Sequence, residues 1–210
     1  MTIALTYLFD PLCGWCYGAS PVVQQLGQHT GVKLVLSPTG LFSGSGRTMD
    51  AAFAAYAWSN DQRIQTLTGQ RFTEAYRQQV LGRNGSAFDS AAASLALTAV
   101  AMTDAPAELN ALKHLQEARY VQGLDTCDIK VVADVLRDIG QGEAAERLLA
   151  NDAALLQANQ NRLRKAQQLM HSLGAQGVPA LLIDGAQGQR LVRGQLLYGK
   201  LEQLFADVWT

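Results

Sequence analysis

Two cysteines spaced Cys13-Gly14-Trp15-Cys16 stand at the seam between an apolar run and a helical pattern, and that seam limits the folds open to this chain. Upstream, Ile3-Ala4-Leu5-Thr6-Tyr7-Leu8-Phe9 is short and apolar, the pattern of a buried strand. Downstream, Val22-Val23-Gln24-Gln25-Leu26 reads as helix, with Gly31 as its stop. The pair therefore falls where a strand hands over to a helix. The first turn of a helix carries free N–H groups and the positive end of the macrodipole, so it favours an anion. A thiol placed there ionises more readily, and the thiolate is the reactive form. Cys13 is expected at the helix start and exposed, with Cys16 one turn deeper on the same face. This spacing can meet the Cα separation that a disulfide needs. The pair can thus cycle between dithiol and disulfide, Cys13 attacking and Cys16 resolving the mixed disulfide.

The chain around the seam reads as α/β. Val32-Lys33-Leu34-Val35-Leu36-Ser37-Pro38 is a second strand, ended by its proline. Strand, helix and strand form a β-α-β crossover, which makes the two strands parallel. The loop from Thr39 to Arg47 is rich in Gly and Ser, with Leu41 and Phe42 in its middle. Anchoring on the core is preferred for these two over contact with a substrate.

From about Met49 to about Leu173 the apolar spacing is helical. Helices are expected from Met49 to about Thr66, through Phe72-Tyr76-Val80, and after a cap at Asp89 or Ser90. Others are expected after Pro106 towards Val121, over Asp128 to Leu136, and from about Glu143 to Leu173 with a break near Asn151-Asp152. Strand character then returns. Val178-Pro179 precedes the run Ala180-Leu181-Leu182-Ile183, Asp184-Gly185 reads as a tight turn, and Arg190 to Arg193 is the return strand. Leu196 to Val208 has the apolar face of a final helix.

Composition narrows the function. With 210 residues, 48% hydrophobic and 17% charged, the chain can bury a sizeable core. Its 17 basic and 18 acidic residues leave a net charge of -1, so neither nucleic acid nor an anionic membrane is an expected partner. No segment has the apolar length to span a bilayer. Three cysteines are too few for a disulfide-stapled secreted scaffold, and no signal-peptide pattern precedes the first strand, so a cytoplasmic location is expected. In a reducing compartment a C-x-x-C is catalytic or metal-binding more often than a permanent bridge. A zinc site would need two more ligands, and Cys127, His29, His114 and His171 are not paired at metal spacing. No bound metal and no tightly held cofactor are expected.

Other candidates take plainer readings. Cys127 lies beside Asp125 and Asp128, which suits a passive half-buried thiol. Phe53, Tyr56, Trp58, Phe72 and Tyr76 sit at helical spacings as core or groove lining, and Arg162, Arg164 and Lys165 as a solvated helix face. Gly44-Ser45-Gly46 lacks the strand and helix that a phosphate loop needs. Trp15 is the exception, because a helix-start residue between two cysteines is not expected to be core.

A strand running into Cys-x-x-Cys at a helix start, with Val-Pro directly before a later hairpin, resembles the thioredoxin fold. The large all-helical insertion resembles its DsbA-like branch. The stretch Phe9-Asp10-Pro11-Leu12-Cys13-Gly14-Trp15-Cys16-Tyr17-Gly18 resembles the cytoplasmic DsbA-family proteins described as predicted protein-disulfide isomerases, with FrnE-type proteins more distant. The resemblance implies a thioredoxin-like domain over residues 1–44 and 174–210 and an inserted helical domain over residues 45–173, acting as a lid. It places Cys13 as nucleophile and Cys16 as resolving thiol. It makes Pro179 the cis-proline facing the pair, Val178 the backbone partner of an extended substrate, and Trp15 an exposed apolar contact.

Where strongly oxidising relatives carry Pro-His between the cysteines, this chain has Gly14-Trp15, with no cation to hold a thiolate. No buried charged residue of the kind thioredoxin carries beneath its cysteines can be placed. The expected activity is thiol–disulfide exchange in the reductase or isomerase direction, on protein, peptide or glutathione mixed disulfides. Glutathione or another dithiol donor stands as co-substrate. The alternative is a glutathione-dependent isomerase or transferase in which Cys13 does not cycle, although the chromene-carboxylate isomerases of this superfamily carry serine there. Monomer and homodimer are both open.

Overall fold

The computed structural model describes residues 2–185 and 188–208. Strand β1 (Ile3–Phe9) lies inside a mixed four-stranded sheet of order β2-β1-β3-β4. It pairs in parallel with β2 (Val32–Pro38), Ile3 opposite Val32 and Phe9 opposite Pro38. It pairs antiparallel with β3 (Ala180–Gly185), Tyr7 opposite Leu181, and β3 continues into β4 (Gly188–Leu191). Because β1 has a neighbour on each edge and is covered on both faces, its residues are apolar almost throughout.

Asp184 and Gly185 are strand residues, paired with Gln189 and Gly188, rather than the turn that the dipeptide suggests. The hairpin connection itself lies outside the described residues. The closing helix is also divided. A 3-10 segment (Gly194–Tyr198) is followed at Gly199 by a change of direction and then by the last helix, Leu201–Val208.

Helix α1 (Gly14–Gln28) starts directly after Cys13 and runs through Pro21. A proline in a helix interior has no N–H for the carbonyl four residues earlier. Here that carbonyl belongs to Tyr17, and the Gln70 side-chain amide donates to it at 3.1 Å. Tertiary structure thus supplies the partner that the proline removes, and the helix starts at Cys13 as expected.

The helical block begins with α2 (Ala51–Thr68), whose cap residue Asp50 accepts from the Phe53 N–H at 2.7 Å. One turn, α3 (Glu74–Tyr76), leads into a π-helical turn, Arg77–Leu81. Then come α4 (Ala91–Thr103), α5 (Glu108–Tyr120), α6 (Ile129–Asp138), α7 (Gly142–Leu149) and α8 (Ala153–Ser172). Pro106 lies in a 3-10 turn that feeds α5. Between α7 and α8 the chain breaks where the sequence suggested, because Asn151 has φ +52° and Asp152 caps α8 through the Ala154 N–H at 2.8 Å.

One core joins the sheet, α1 and the helical block, from Leu5 and Phe9 through Leu26, Leu97 and Leu115 to Leu136 and Leu204. Arg162 departs from the solvated face expected of it. Its guanidinium pairs with buried Glu108 and donates to the Leu36 carbonyl at 3.0 Å and the Thr98 hydroxyl at 3.2 Å. This clamps α8 and α4 to the outer strand β2. A lone inward-facing cation on a mostly polar helix leaves no periodic signal, which is why the sequence did not mark it.

Candidate active site

Three elements meet at the cysteines. Cys13 occupies the cap position of α1 with extended backbone angles, φ -83° and ψ 115°, and its carbonyl accepts the Tyr17 N–H at 3.0 Å. The loop ahead of it is fixed from beneath by Asp10. One Asp10 carboxylate oxygen accepts the Leu12 N–H at 2.9 Å. The other accepts the Phe42 N–H at 3.1 Å and the Ser90 hydroxyl at 2.8 Å. From the far side the Tyr120 hydroxyl donates to the Leu12 carbonyl at 2.8 Å. One buried carboxylate thus ties together the cysteine loop, the Gly/Ser loop and the start of α4. Burial pushes the Asp10 carboxyl up, opposed by these bonds and by the charge of Arg119.

Both cysteines are free thiols. Cys13 is only 7% exposed and Cys16 1%, so Cys13 is far less open than its helix-start position suggests. The covering comes from the helical block and from the loop before β3. The Val178–Pro179 peptide bond is cis, and the Cys13 thiol donates to the Val178 carbonyl at 3.6 Å. Residues 165 positions apart in sequence are in contact here. Cys16 lies deeper, beneath Cys13. Burial raises its pKa well above the ordinary thiol value, and the neighbouring Cys13 adds to this. Under Cys16, the Tyr7 hydroxyl donates to its carbonyl at 3.3 Å.

Cys13 opens onto a cavity of about 310 Å³ between the α1 start and the helical block. Its walls are mostly apolar, with Leu12, Phe42, Phe53, Ile64, Phe88 and Tyr120 among them. Phe42 packs on Phe88 at 4.9 Å between ring centroids, so it both anchors its loop and lines the cavity. Polar groups are few. Arg47 stacks over the Phe53 ring at 3.7 Å, and Asn60 and Asp61 reach the cavity from α2. Trp15 also lines the cavity but is half-buried, edge-on to Tyr198 at 5.4 Å, rather than freely exposed. The 3-10 segment that carries Tyr198 comes back against α1 and covers the indole.

Asp61 is the residue that the sequence reading missed. Its side chain is 4% exposed, and one carboxylate oxygen, Oδ2, accepts the Tyr76 hydroxyl at 3.1 Å. Burial pushes its pKa up to about 7, against the pull of that hydrogen bond and of Arg119. The other oxygen, Oδ1, lies so close to Gly14 that a Cβ there would sit 2.6 Å from it. Gly14 is therefore glycine because a carboxylate from the helical block rests on the backbone between the two cysteines. A faint signal existed, since Ala57, Asp61, Ile64 and Thr68 share one face of α2 with Asp61 as its one acid.

Arg119 was also missed. It is 1% exposed, with its guanidinium 5.8 Å from the Tyr76 ring centroid and 5.6 Å from that of Phe88. It supplies positive potential to both buried carboxyls. The expectation of no buried charge near the pair thus gives way to two carboxyls and a guanidinium. Cys127 is half-buried with its thiol 4.0 Å from Arg119, and burial, with help from Asp125, outweighs the arginine in raising its pKa. Among the described residues no group of three or more His, Cys, Asp or Glu side chains converges to hold a metal ion. No helix of the described residues is long and apolar enough to cross a membrane.

A model of the DsbA-like thioredoxin domain matches residues 4–205. The chain belongs to this family. The architecture is accordingly the DsbA-like thioredoxin fold, and the family is one of oxidoreductases. Among solved structures, the chain is similar to the cytosolic disulfide reductase DsbM from Pseudomonas aeruginosa, with a TM-score of 0.86, 29% identity, and coverage of 97% of this chain and 95% of that one. It is similarly close to DsbM with GSH, at a TM-score of 0.84, 29% identity, and 97% and 96% coverage. A candidate protein disulfide isomerase from Nitrosomonas europaea shares the fold, at a TM-score of 0.77, 21% identity, and 98% and 97% coverage. No curated protein matches the chain by sequence.

Proposed function

We propose that this DsbA-like chain is a thiol–disulfide oxidoreductase working in the reducing or isomerising direction on glutathione mixed disulfides and small peptide disulfides, in the cytoplasm. The observation that carries the reading is the contact between the Cys13 thiol, which also lines the cavity, and the Val178 carbonyl beside the cis bond. Cys13 lies on the wall of this cavity, which gives an incoming disulfide sulfur a route to it.

In the proposed sequence the Cys13 thiolate attacks one sulfur of the disulfide, and the other sulfur leaves with the electron pair. Cys16 then attacks Cys13 and releases the second thiol, leaving a Cys13–Cys16 disulfide that an external thiol donor reduces again. Val178 offers its backbone to an extended substrate, Pro179 keeps that edge open, and Trp15 forms part of the apolar wall. The GSH-bound DsbM neighbour supports a glutathione-sized occupant, and its cytosolic description supports the location.

Electrostatics supports the direction. Gly14-Trp15 brings no cation to the pair, and Cys16 is buried with its thiolate disfavoured. The reduced state is then not specially stabilised, so the couple is expected between about -270 and about -200 mV, the thioredoxin and glutaredoxin range. Redox titration against glutathione tests this. A potential above about -150 mV, towards the strongly oxidising DsbA range, would defeat the proposal.

A further inference from the structure

Disulfide exchange expels a thiolate. Alkyl thiols have pKa values of about 8.5, so at neutral pH the departing sulfur takes up a proton soon after the bond breaks. The cavity in front of Cys13 is mostly apolar, and a bare thiolate is costly there. Asp61, on the cavity wall, can carry a proton to it.

We propose that Asp61 is the proton donor to the leaving thiolate when Cys13 attacks a disulfide. This rests on the reading of the site as a disulfide-exchange centre. Asp61 reaches the cavity from the inserted helical block, and its Oδ1 lies against the Gly14 backbone, one residue from the nucleophile. Tyr76 holds the other oxygen, which orients the carboxyl with Oδ1 towards the cysteines. Among the described residues no protein donor satisfies Oδ1.

The groups facing Asp61 from its packing neighbours are Tyr76 on α3, Arg119 and Tyr120 on α5, Cys13 at the start of α1, and Arg47 from the Gly/Ser loop. Burial opposes the charged form more strongly than Tyr76 and Arg119 favour it, so near neutral pH a substantial fraction of Asp61 is protonated. This is the condition for an acid working close to ambient pH.

The step balances. The Cys13 sulfur bonds to one substrate sulfur, the S–S bond breaks, and the electron pair leaves on the other sulfur. Asp61 gives that sulfur its proton, becomes a carboxylate, and regains a proton from water. In the reverse direction the carboxylate takes the proton of an entering thiol.

The test compares leaving groups. Pre-reduced wild type and Asp61→Asn react in single turnovers with glutathione disulfide, whose alkyl thiolate needs a proton. They also react with dithiobis(nitrobenzoate), whose aryl thiolate departs without one. Rates are taken between about pH 5.5 and about pH 8.5. The proposal expects Asp61→Asn to slow glutathione disulfide by about 100-fold near neutral pH, with a loss at least about tenfold smaller on the aryl disulfide.

Equal losses on both substrates, or none on either, would overturn it. Tyr76→Phe keeps the carboxyl but removes the bond that lowers its pKa. The alkaline fall of the glutathione-disulfide rate should then move to higher pH, and an unmoved profile also counts against the proposal. Wild type inert to both disulfides would remove the exchange reading itself, an outcome distinct from active exchange that ignores the leaving group.

Discussion

Asp61 also leaves a signature in stability that needs no substrate. In the folded protein its carboxyl titrates at about 7, against 3.8 for an ordinary aspartate. Between those two values the folded chain holds a proton that the unfolded chain has lost. Folding stability attributable to this residue is therefore largest below about pH 4, falls as pH rises towards 7, and stays low above it. Each pKa step corresponds to about 1.4 kcal/mol, so the full cost of the buried carboxylate at alkaline pH is on the order of 4 kcal/mol.

Asp61→Asn keeps the shape, accepts the Tyr76 hydroxyl, and has no charge to bury. Some of the cost will be relieved in wild type by reorganisation towards Arg119, so about 2–4 kcal/mol of stabilisation is expected at pH 8. At about pH 4.5 the two proteins should agree within about 1 kcal/mol. Urea denaturation of both at several pH values reads the difference directly. A variant less stable than wild type at pH 8, or a gap that does not change with pH, would refute the reasoning about a buried, proton-holding carboxyl.

Further perturbations probe the scaffold. Gly14→Ala puts a Cβ 2.6 Å from Asp61 Oδ1 and should cost about 1–3 kcal/mol by denaturation; adding Asp61→Gly should recover part of that, as non-additive coupling in a double-mutant cycle. Asp10→Ala strips the acceptor from the Leu12 and Phe42 N–H groups and the Ser90 hydroxyl, so a loss of about 3 kcal/mol or more is expected, with slower reaction at Cys13. In Cys13→Ser, Cys16 keeps a buried thiol with a raised pKa, so iodoacetamide at neutral pH should modify it many times more slowly than a free cysteine, and equal rates would contradict its placement.

Much of the frame was legible because it is local. The apolar run Ile3–Phe9, the proline ending β2, and the Asn151-Asp152 break each declare themselves within a few residues. Val178-Pro179 was legible through its place before a strand. What escaped depends on contacts far apart in sequence. Helical spacing shows that α2 has an apolar face but not that this face meets the backbone between the cysteines, so Asp61 looked like one more polar residue. Arg119 and Arg162 escaped for the same reason, since charged side chains default to solvent unless tertiary structure brings a partner. The covering of Trp15 and Cys13 needed the 3-10 segment around Tyr198 and the Val178 carbonyl, neither of which is announced near residue 15. The start of α1 at Cys13 was legible from the cysteine spacing, whereas the Gln70 side chain that offsets the missing Pro21 donor was not.

The division of labour between the two thiols is tested most directly by trapping. Cys16→Ser, mixed with glutathione disulfide and analysed by intact mass and peptide mapping, should accumulate one glutathione on Cys13 and stop turning over. Glutathione found on Cys127 instead, or sustained turnover with Cys13 unmodified, would contradict the account of Cys13 as attacking and Cys16 as resolving sulfur.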